Sequence, residues 1–213
     1  MSAEDINNTI FKLKKALKEP LPGIIAQKRM MPEIHSSHLE YFSDKPLRKA
    51  AVLISLFPFN GHVGTLFIER TQDTSPHSGQ IAFPGGRFEP NDNTLINTAI
   101  REANEEIGIN PDEVEIIGSL TPIEIPISGF SVTPIIGVLQ TDPKIKPCPT
   151  EVQNYFKVTL KELLNTNNKT TGEVPVRNKR ITTPYYKLKH TIIWGATAMV
   201  LSEFEEIFSK AKQ

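Results

Sequence analysis

Residues 85–109 read GGRFEPNDNTLINTAIREANEEIGI. The segment places Glu102, Glu105 and Glu106 at i, i+3 and i+4 of a stretch expected to be helical. On a helix these carboxylates share one face. Three like charges held that close repel, so a fold that gathers them usually supplies a cation. Hard oxygen donors at this density suit Mg²⁺ or Mn²⁺ better than zinc. Arg101 lies beside Glu102 and four residues before Glu105, where it can pair with a carboxylate and fix the cluster.

The rest of the stretch agrees with a helix of this kind. Ile96, Ile100, Ala103 and Ile107 fall about 100° to 160° from Glu102 around the helix, an apolar stripe that leaves the glutamates facing out. Asn91, Asp92, Asn93 and Thr94 are candidate N-caps, and Gly108 is a natural stop with Pro111 beyond it. Gly85-Gly86 follows Phe83-Pro84, a turn of the type that lets backbone approach a phosphate or a metal.

The second half of the stretch, Arg101-Glu102-Ala103-Asn104-Glu105-Glu106-Ile107-Gly108-Ile109, resembles the box of the Nudix hydrolases. The first half departs from that box. Asp92 stands where the pattern has Glu, and eight residues rather than seven separate it from Arg101. That insertion is similar to the coenzyme A pyrophosphatase branch of the family. So is the upstream block of Arg70, His77-Ser78-Gly79-Gln80 and Phe83-Pro84-Gly85-Gly86, although Ser75 stands where the branch usually carries a second basic residue. The segments 128–134 and 193–198 are also similar to it.

The resemblance implies an α+β fold with a mixed β-sheet between helices. It implies metal-dependent hydrolysis of the pyrophosphate bond of coenzyme A or acyl-CoA, giving 4′-phosphopantetheine and adenosine 3′,5′-bisphosphate. Glu102 and Glu106 would be direct metal ligands. Glu105 would be a third ligand or the general base, and Arg101 would hold the cluster. The 3′-phosphate of coenzyme A calls for a cation, for which Arg70 is the first candidate and Arg87 the second. His77 and Gln80 would bind substrate or brace the loop. Gly85 and Gly86 would admit the phosphates. Glu151, in Pro149-Thr150-Glu151-Val152, is a possible further acid. Phe130 and Trp194 read more readily as core aromatics than as base-stacking platforms. Competing readings keep the box but change the substrate to ADP-ribose, NADH or a nucleoside triphosphate, or make the domain a non-catalytic ligand sensor. The resemblance also admits a homodimer.

Composition narrows the partners. Lys and Arg number 24 and Asp and Glu 24, so no overall basic field exists to hold nucleic acid or an anionic membrane. The expected partner is a small molecule. The single cysteine, Cys148, excludes an internal disulfide and fits a reducing, cytoplasmic setting. Early acidic residues, Glu4 and Asp5, argue against a signal peptide, and no apolar run is long enough to span a membrane.

The chain divides into residues 1–47, a helix plus an extension that wraps the surface, and 48–213, the Nudix hydrolase domain. Ile6, Ile10, Leu13 and Leu17 predict an amphipathic helix over 3–18 that packs on its own domain, ended by Pro20 and Pro22. His35 and His38 read as loop histidines. Residues 50–57 form a nearly continuous apolar run, hence a buried strand; Asn60-Gly61 predicts a hairpin into a strand over 64–69. Further strands are expected at 80–83, 115–120, 131–139 and 156–158, with a short helix at 160–164. Residues 165–183 read as a polar, mobile hairpin near the site. A last helix over 202–210 turns Phe204, Ile207 and Phe208 inward.

Overall fold

The computed structural model describes residues 3–33, 46–72, 78–176, 179–189 and 191–212. His77, Ser75, His35 and His38 lie outside the described residues. The chain begins with α1 (Ala3–Ala16) and the short α2 (Ile24–Gln27), followed by a single 3-10 turn. The strands β1 (Arg48–Phe59) and β2 (His62–Arg70) form the hairpin expected at Asn60-Gly61, with Phe59 opposite His62. Next come β3 (Ile81–Ala82), β4 (Gly85–Arg87) and α3 (Leu95–Ile107). Then follow β5 (Glu115–Ser119), β6 (Ile123–Ile125), β7 (Phe130–Val138), β8 (Val152–Thr159) and α4 (Leu160–Leu163). The chain ends with β9 (Lys169–Val176), β10 (Lys179–Lys187), β11 (Ile192–Trp194) and α5 (Gly195–Lys212).

The central sheet is mixed. β1 and β7 run parallel over nine residue pairs, from Arg48 opposite Phe130 to Leu56 opposite Val138. The pairings of β1 with β2 and β4, of β2 with β3 and β8, and of β7 with β5 and β6 are antiparallel. The apolar run of β1 is buried on both faces because each face is covered, as expected for a central strand. Successive side chains alternate between faces. Ile54 and Leu56 join Leu13, Phe67 and Phe204 on one side. Ala51, Leu53 and Phe57 join Leu66, Ile68, Ala99, Ala103 and Ile107 on the other. The sheet is thus a layer between α3 and the α1–α5 side, an α+β sandwich of the expected kind.

Several local expectations change. Ile96 is exposed, and the buried face of α3 is Ala99, Ala103 and Ile107 together with Thr98 and Glu106. The glutamates therefore do not all face out. The hairpin expected within 165–183 is present: β9 and β10 pair from Lys169–Tyr186 to Val176–Lys179, and β11 extends them into a three-stranded sheet that was not expected. The last helix starts seven residues early, at Gly195, and Ala198 to Leu201 are helical. The expected inward side chains Phe204, Ile207 and Phe208 are buried. β6, within the Pro-rich connection, was not expected at all.

The N-terminal segment shares the core of the sheet. Leu13 is fully buried in the same cluster as Phe204 and Ile54, and Ile6 and Leu17 pack against its edge. The buried Glu203 carboxylate of α5 accepts from Gly23 N–H, Gln27 Nε2, Thr121 N–H and Thr121 Oγ1, which ties the start of α2 to the sheet. Replacing Leu13 by Ala should lower the unfolding free energy by about 2–5 kcal/mol. Urea unfolding followed by circular dichroism measures this, and a change below about 0.5 kcal/mol would mean that α1 is not part of the folded core.

Candidate active site

The site is built where α3 meets the ends of β2 and β4. Thr94 caps α3, its side-chain oxygen accepting from Asn97 N–H at 3.1 Å. Gly108 closes the helix in a left-handed conformation. Burial of Ala99, Ala103 and Ile107 against the sheet fixes the rotation of α3. That rotation forces Glu106, one position from Ile107, under the sheet edge with no solvent exposure.

A buried carboxylate must be hydrogen-bonded. Glu106 Oε2 accepts from Gly85 N–H at 2.8 Å, and Oε1 accepts from Arg70 Nη1 at 3.1 Å. Gly85 fits this role because its φ is +155° and an added Cβ would lie 2.3 Å from Ala51 O. Burial still outweighs these partners and pushes the Glu106 carboxyl up to about 7. Gly86 presses on the neighbouring acid: an added Cβ would sit 2.5 Å from the Glu102 carboxyl carbon. Half-burial raises the Glu102 pKa, against the opposing pull of Arg101.

Glu151 completes the cluster. One carboxylate oxygen from each of Glu102, Glu106 and Glu151 can lie within 4.8 Å of the others. The loop before β8 brings Glu151 there by capping α3: Lys146 N–H donates to Ile107 O at 2.9 Å and Cys148 N–H to Glu106 O at 2.8 Å. Thr71 N–H then binds Glu151 O at 3.0 Å, next to Arg70. Three carboxylates converging here, with Glu102 packed against the bare Gly86, fit a divalent cation held by oxygen.

Glu105 departs from the expected trio. Its side chain is 53% exposed and turns to Arg101, with Nη1 at 2.8 Å from Oε2. Arg101 organises the rest. It binds Asp92 through two donors, Nε to Oδ1 at 2.7 Å and Nη2 to Oδ2 at 3.1 Å. It also lies 3.0 Å from Glu102 Oε1 and donates to Arg87 O at 3.1 Å. Asp92 accepts further from Glu89 N–H and Thr98 Oγ1, each at 2.8 Å. These donors, Arg101 first, hold Asp92 far below the ordinary carboxylate range, and Asp92 in turn raises Arg101.

The other expected residues sit as follows. Arg70 is committed to Glu106 within the cluster. Gln80 O accepts from Arg70 N–H at 3.1 Å, so this residue braces the end of β2 through its backbone. Arg87 is exposed and pairs with Glu89 at 3.1 Å. Phe130 carries Arg48 on its ring, 4.0 Å from guanidinium carbon to centroid.

The NUDIX domain pattern matches residues 46–177. A relative from Enterobacter sp. (strain 638), an uncharacterized Nudix hydrolase NudL, is 37% identical over 158 residues, spanning 73% of this chain and 80% of the relative. An uncharacterized Nudix hydrolase NudL from Escherichia fergusonii is 32% identical over 176 residues, 82% of this chain and 86% of that one. The chain belongs to the Nudix family. It is a pyrophosphohydrolase by that membership, and enzymes of the family generally use divalent metal ions. The crystal structure of a MutT/nudix family protein from Enterococcus faecalis superposes with a TM-score of 0.51 at 16% identity, covering 83% of this chain and 70% of the other, which shows the shared fold. Among the described residues no helix is long and apolar enough to cross a membrane.

The Asp92–Arg101 pair should be measurable in the stability of the metal-free Nudix domain. Asp92→Asn should cost about 2–4 kcal/mol at pH 7. The folded pKa of Asp92 lies below its unfolded value, so this stability is present above about pH 4 and is lost as pH falls further. The gap between wild type and variant should therefore narrow between about pH 4 and 2 in denaturant titrations. A gap that stays constant over that range would show that the charge of Asp92 contributes nothing.

Proposed function

We propose that this Nudix hydrolase cleaves the diphosphate bond of a nucleoside diphosphate derivative, with coenzyme A or an acyl-CoA as substrate and Mg²⁺ or Mn²⁺ as cofactor. The observation that carries the proposal is the convergence of the Glu102, Glu106 and Glu151 carboxylates. The block Arg70, Gln80 and Phe83 to Gly86 supports coenzyme A through its resemblance to that branch of the family, and within it Arg70 and Gly85 N–H meet on Glu106.

When bound, a divalent cation would screen the charge of the diphosphate and acidify a water. Glu102, Glu106 and Glu151 would hold it. Glu106 is the anchor, because Gly85 N–H and Arg70 fix both its oxygens before any ligand arrives. Glu105 lies on the open side, oriented by Arg101. In this reading it serves as the general base that takes the proton of the attacking water. Arg101 does not leave its post, since Asp92 holds it through two bonds. Gly86 has no side chain, and the Glu102 carboxylate packs into the space a Cβ would take.

Glu106 gives two measurable consequences. Its acid form is favoured in the metal-free fold up to about pH 7, so a cation must displace a proton below that pH. Mn²⁺ affinity should fall roughly tenfold per pH unit below 7 and level off above it. Calorimetric titrations from pH 5.5 to 8 read this directly, and a flat profile would remove Glu106 from the ligand set. Glu106→Gln should cost turnover more than the roughly 10–100-fold typical of an outer-shell change, while circular dichroism shows a folded protein. Full turnover in that variant would refute the metal assignment.

Substrate is decided by product analysis on purified protein with Mg²⁺ or Mn²⁺, comparing coenzyme A, dephospho-coenzyme A, ADP-ribose, NADH and dGTP. The expected result is cleavage of coenzyme A to 4′-phosphopantetheine and adenosine 3′,5′-bisphosphate, with loss of efficiency when the 3′-phosphate is removed. A clear preference for a substrate without that phosphate would keep the carboxylate site and discard coenzyme A.

A further inference from the structure

We propose that the fully buried Thr98 is a positioning residue: its hydroxyl fixes the Asp92 carboxylate, so that Arg101 holds Glu105 in place for its work as general base. The inference rests on the reading of Glu105 given above. Thr98, Arg101, Glu102 and Glu105 stand at i, i+3, i+4 and i+7 of α3. Residues at these spacings share one side of a helix. Thr98 thus lies one turn before Arg101 on the side that carries the acids. The apolar contact of α3 with the sheet is made by Ala99, Ala103 and Ile107 instead.

A buried threonine inside a helix commonly turns its hydroxyl back to the carbonyl four residues earlier. Thr94 O is 3.3 Å from Thr98 Oγ1, but Asp92 Oδ2 is nearer, at 2.8 Å, and charged. A hydroxyl has one proton to donate, and a carboxylate is the stronger acceptor. Thr98 therefore gives its donor to Asp92, six residues before it, and not to its own helix.

The backbone of Asp92 is tied down on its own account. Asp92 O accepts from Thr94 N–H at 2.7 Å and from Asn97 Nδ2 at 2.8 Å. These bonds do not set the rotation of the carboxylate about Cβ–Cγ. Two donors do: Glu89 N–H and Thr98 Oγ1 meet the same oxygen, Oδ2, each at 2.8 Å. One is backbone and the other is a β-branched side chain with few rotamers, so both are stiff. Oδ1 is left for Arg101 Nε at 2.7 Å. A guanidinium is planar, so fixing Nε and Nη2 on Asp92 also fixes Nη1. Nη1 then meets Glu105 Oε2 at 2.8 Å and Glu102 Oε1 at 3.0 Å. Without the Thr98 hydroxyl, Oδ2 keeps only the Glu89 N–H from this stiff pair. The carboxylate turns more freely, and the guanidinium carries that freedom to Glu105.

The test compares Thr98→Val, which keeps the shape and removes the hydroxyl, with Thr98→Ser, which keeps the hydroxyl and removes a methyl group. On the substrate that wild type cleaves, Thr98→Val should lower kcat about tenfold, the low end for a group that acts through another, and leave KM nearly unchanged. Thr98→Ser should keep kcat near wild type even though the lost methyl group lowers its stability in urea. Thr98→Val combined with Asp92→Ala should be no slower than Asp92→Ala alone, since the two act in series. A second readout needs no turnover. The Arg101 Nε–H proton, assigned by its loss in Arg101→Lys, should give a resolved NMR resonance in wild type and in Thr98→Ser, and should broaden by exchange with water in Thr98→Val. Wild-type kcat in Thr98→Val, an unchanged Arg101 resonance in that variant, or a Thr98→Ser protein as slow as Thr98→Val overturns the proposal. Normal turnover by Glu105→Gln refutes the base assignment beneath it, whereas the Arg101 resonance judges the link from Thr98 by itself.

Discussion

The Glu106 carboxylate sets the terms for the rest of the site. It is a charged group placed under a sheet, and it is tolerable there only because both oxygens are met. One partner is a backbone N–H of β4 and the other is a side chain at the end of β2. Satisfying a single helix residue therefore locks α3, β2 and β4 into one arrangement. The demand also explains the glycine at 85, since only a residue without Cβ brings its N–H that close to β1 and still faces the helix. What the protein retains is a carboxylate shut off from water, whose burial outweighs the pull of Arg70.

Arg101 plays the complementary part. A 3-10 turn, Pro90–Asp92, precedes α3. Asp92 is one methylene shorter than a glutamate, yet from this turn it takes two guanidinium donors. The same guanidinium then keeps Glu105 on the solvent side, which divides the three helix glutamates into two buried or half-buried and one exposed. Equal spacing along the helix did not mean equal environments.

That division marks what could be read in advance. The helix, its caps, the hairpin at Asn60-Gly61 and the central strand were legible, because each has a local signature of period, capping or turn chemistry. The rotation of α3 was not, since Ile96 and Ile100 mimic a buried stripe and the small Ala99 fills the real one. Glu151 was visible only as an isolated acid. Its place depends on a loop that folds back on the helix C-terminus, 45 residues beyond Glu106, and backbone hydrogen bonds of that kind leave no pattern in side chains.

A substrate with a diphosphate and a further phosphate poses an electrostatic problem that neutral composition cannot solve. A field of one sign over the whole surface would attract the ligand but would also oppose either the cation or the anion at the centre. Separation between the two faces of the sheet eases this. Carboxylates occupy the α3 face, where Arg70 is used up in holding Glu106. Strand register puts Arg48 and Arg87 on the opposite face, where Arg48 is fixed by an aromatic ring and a carbonyl and not by an acid. Arg101 stays with the acids, pairing with Asp92 and touching Glu102 and Glu105. Screening by salt reaches exposed arginines more than a buried cluster, so ionic strength acts on the outer face while the metal site holds.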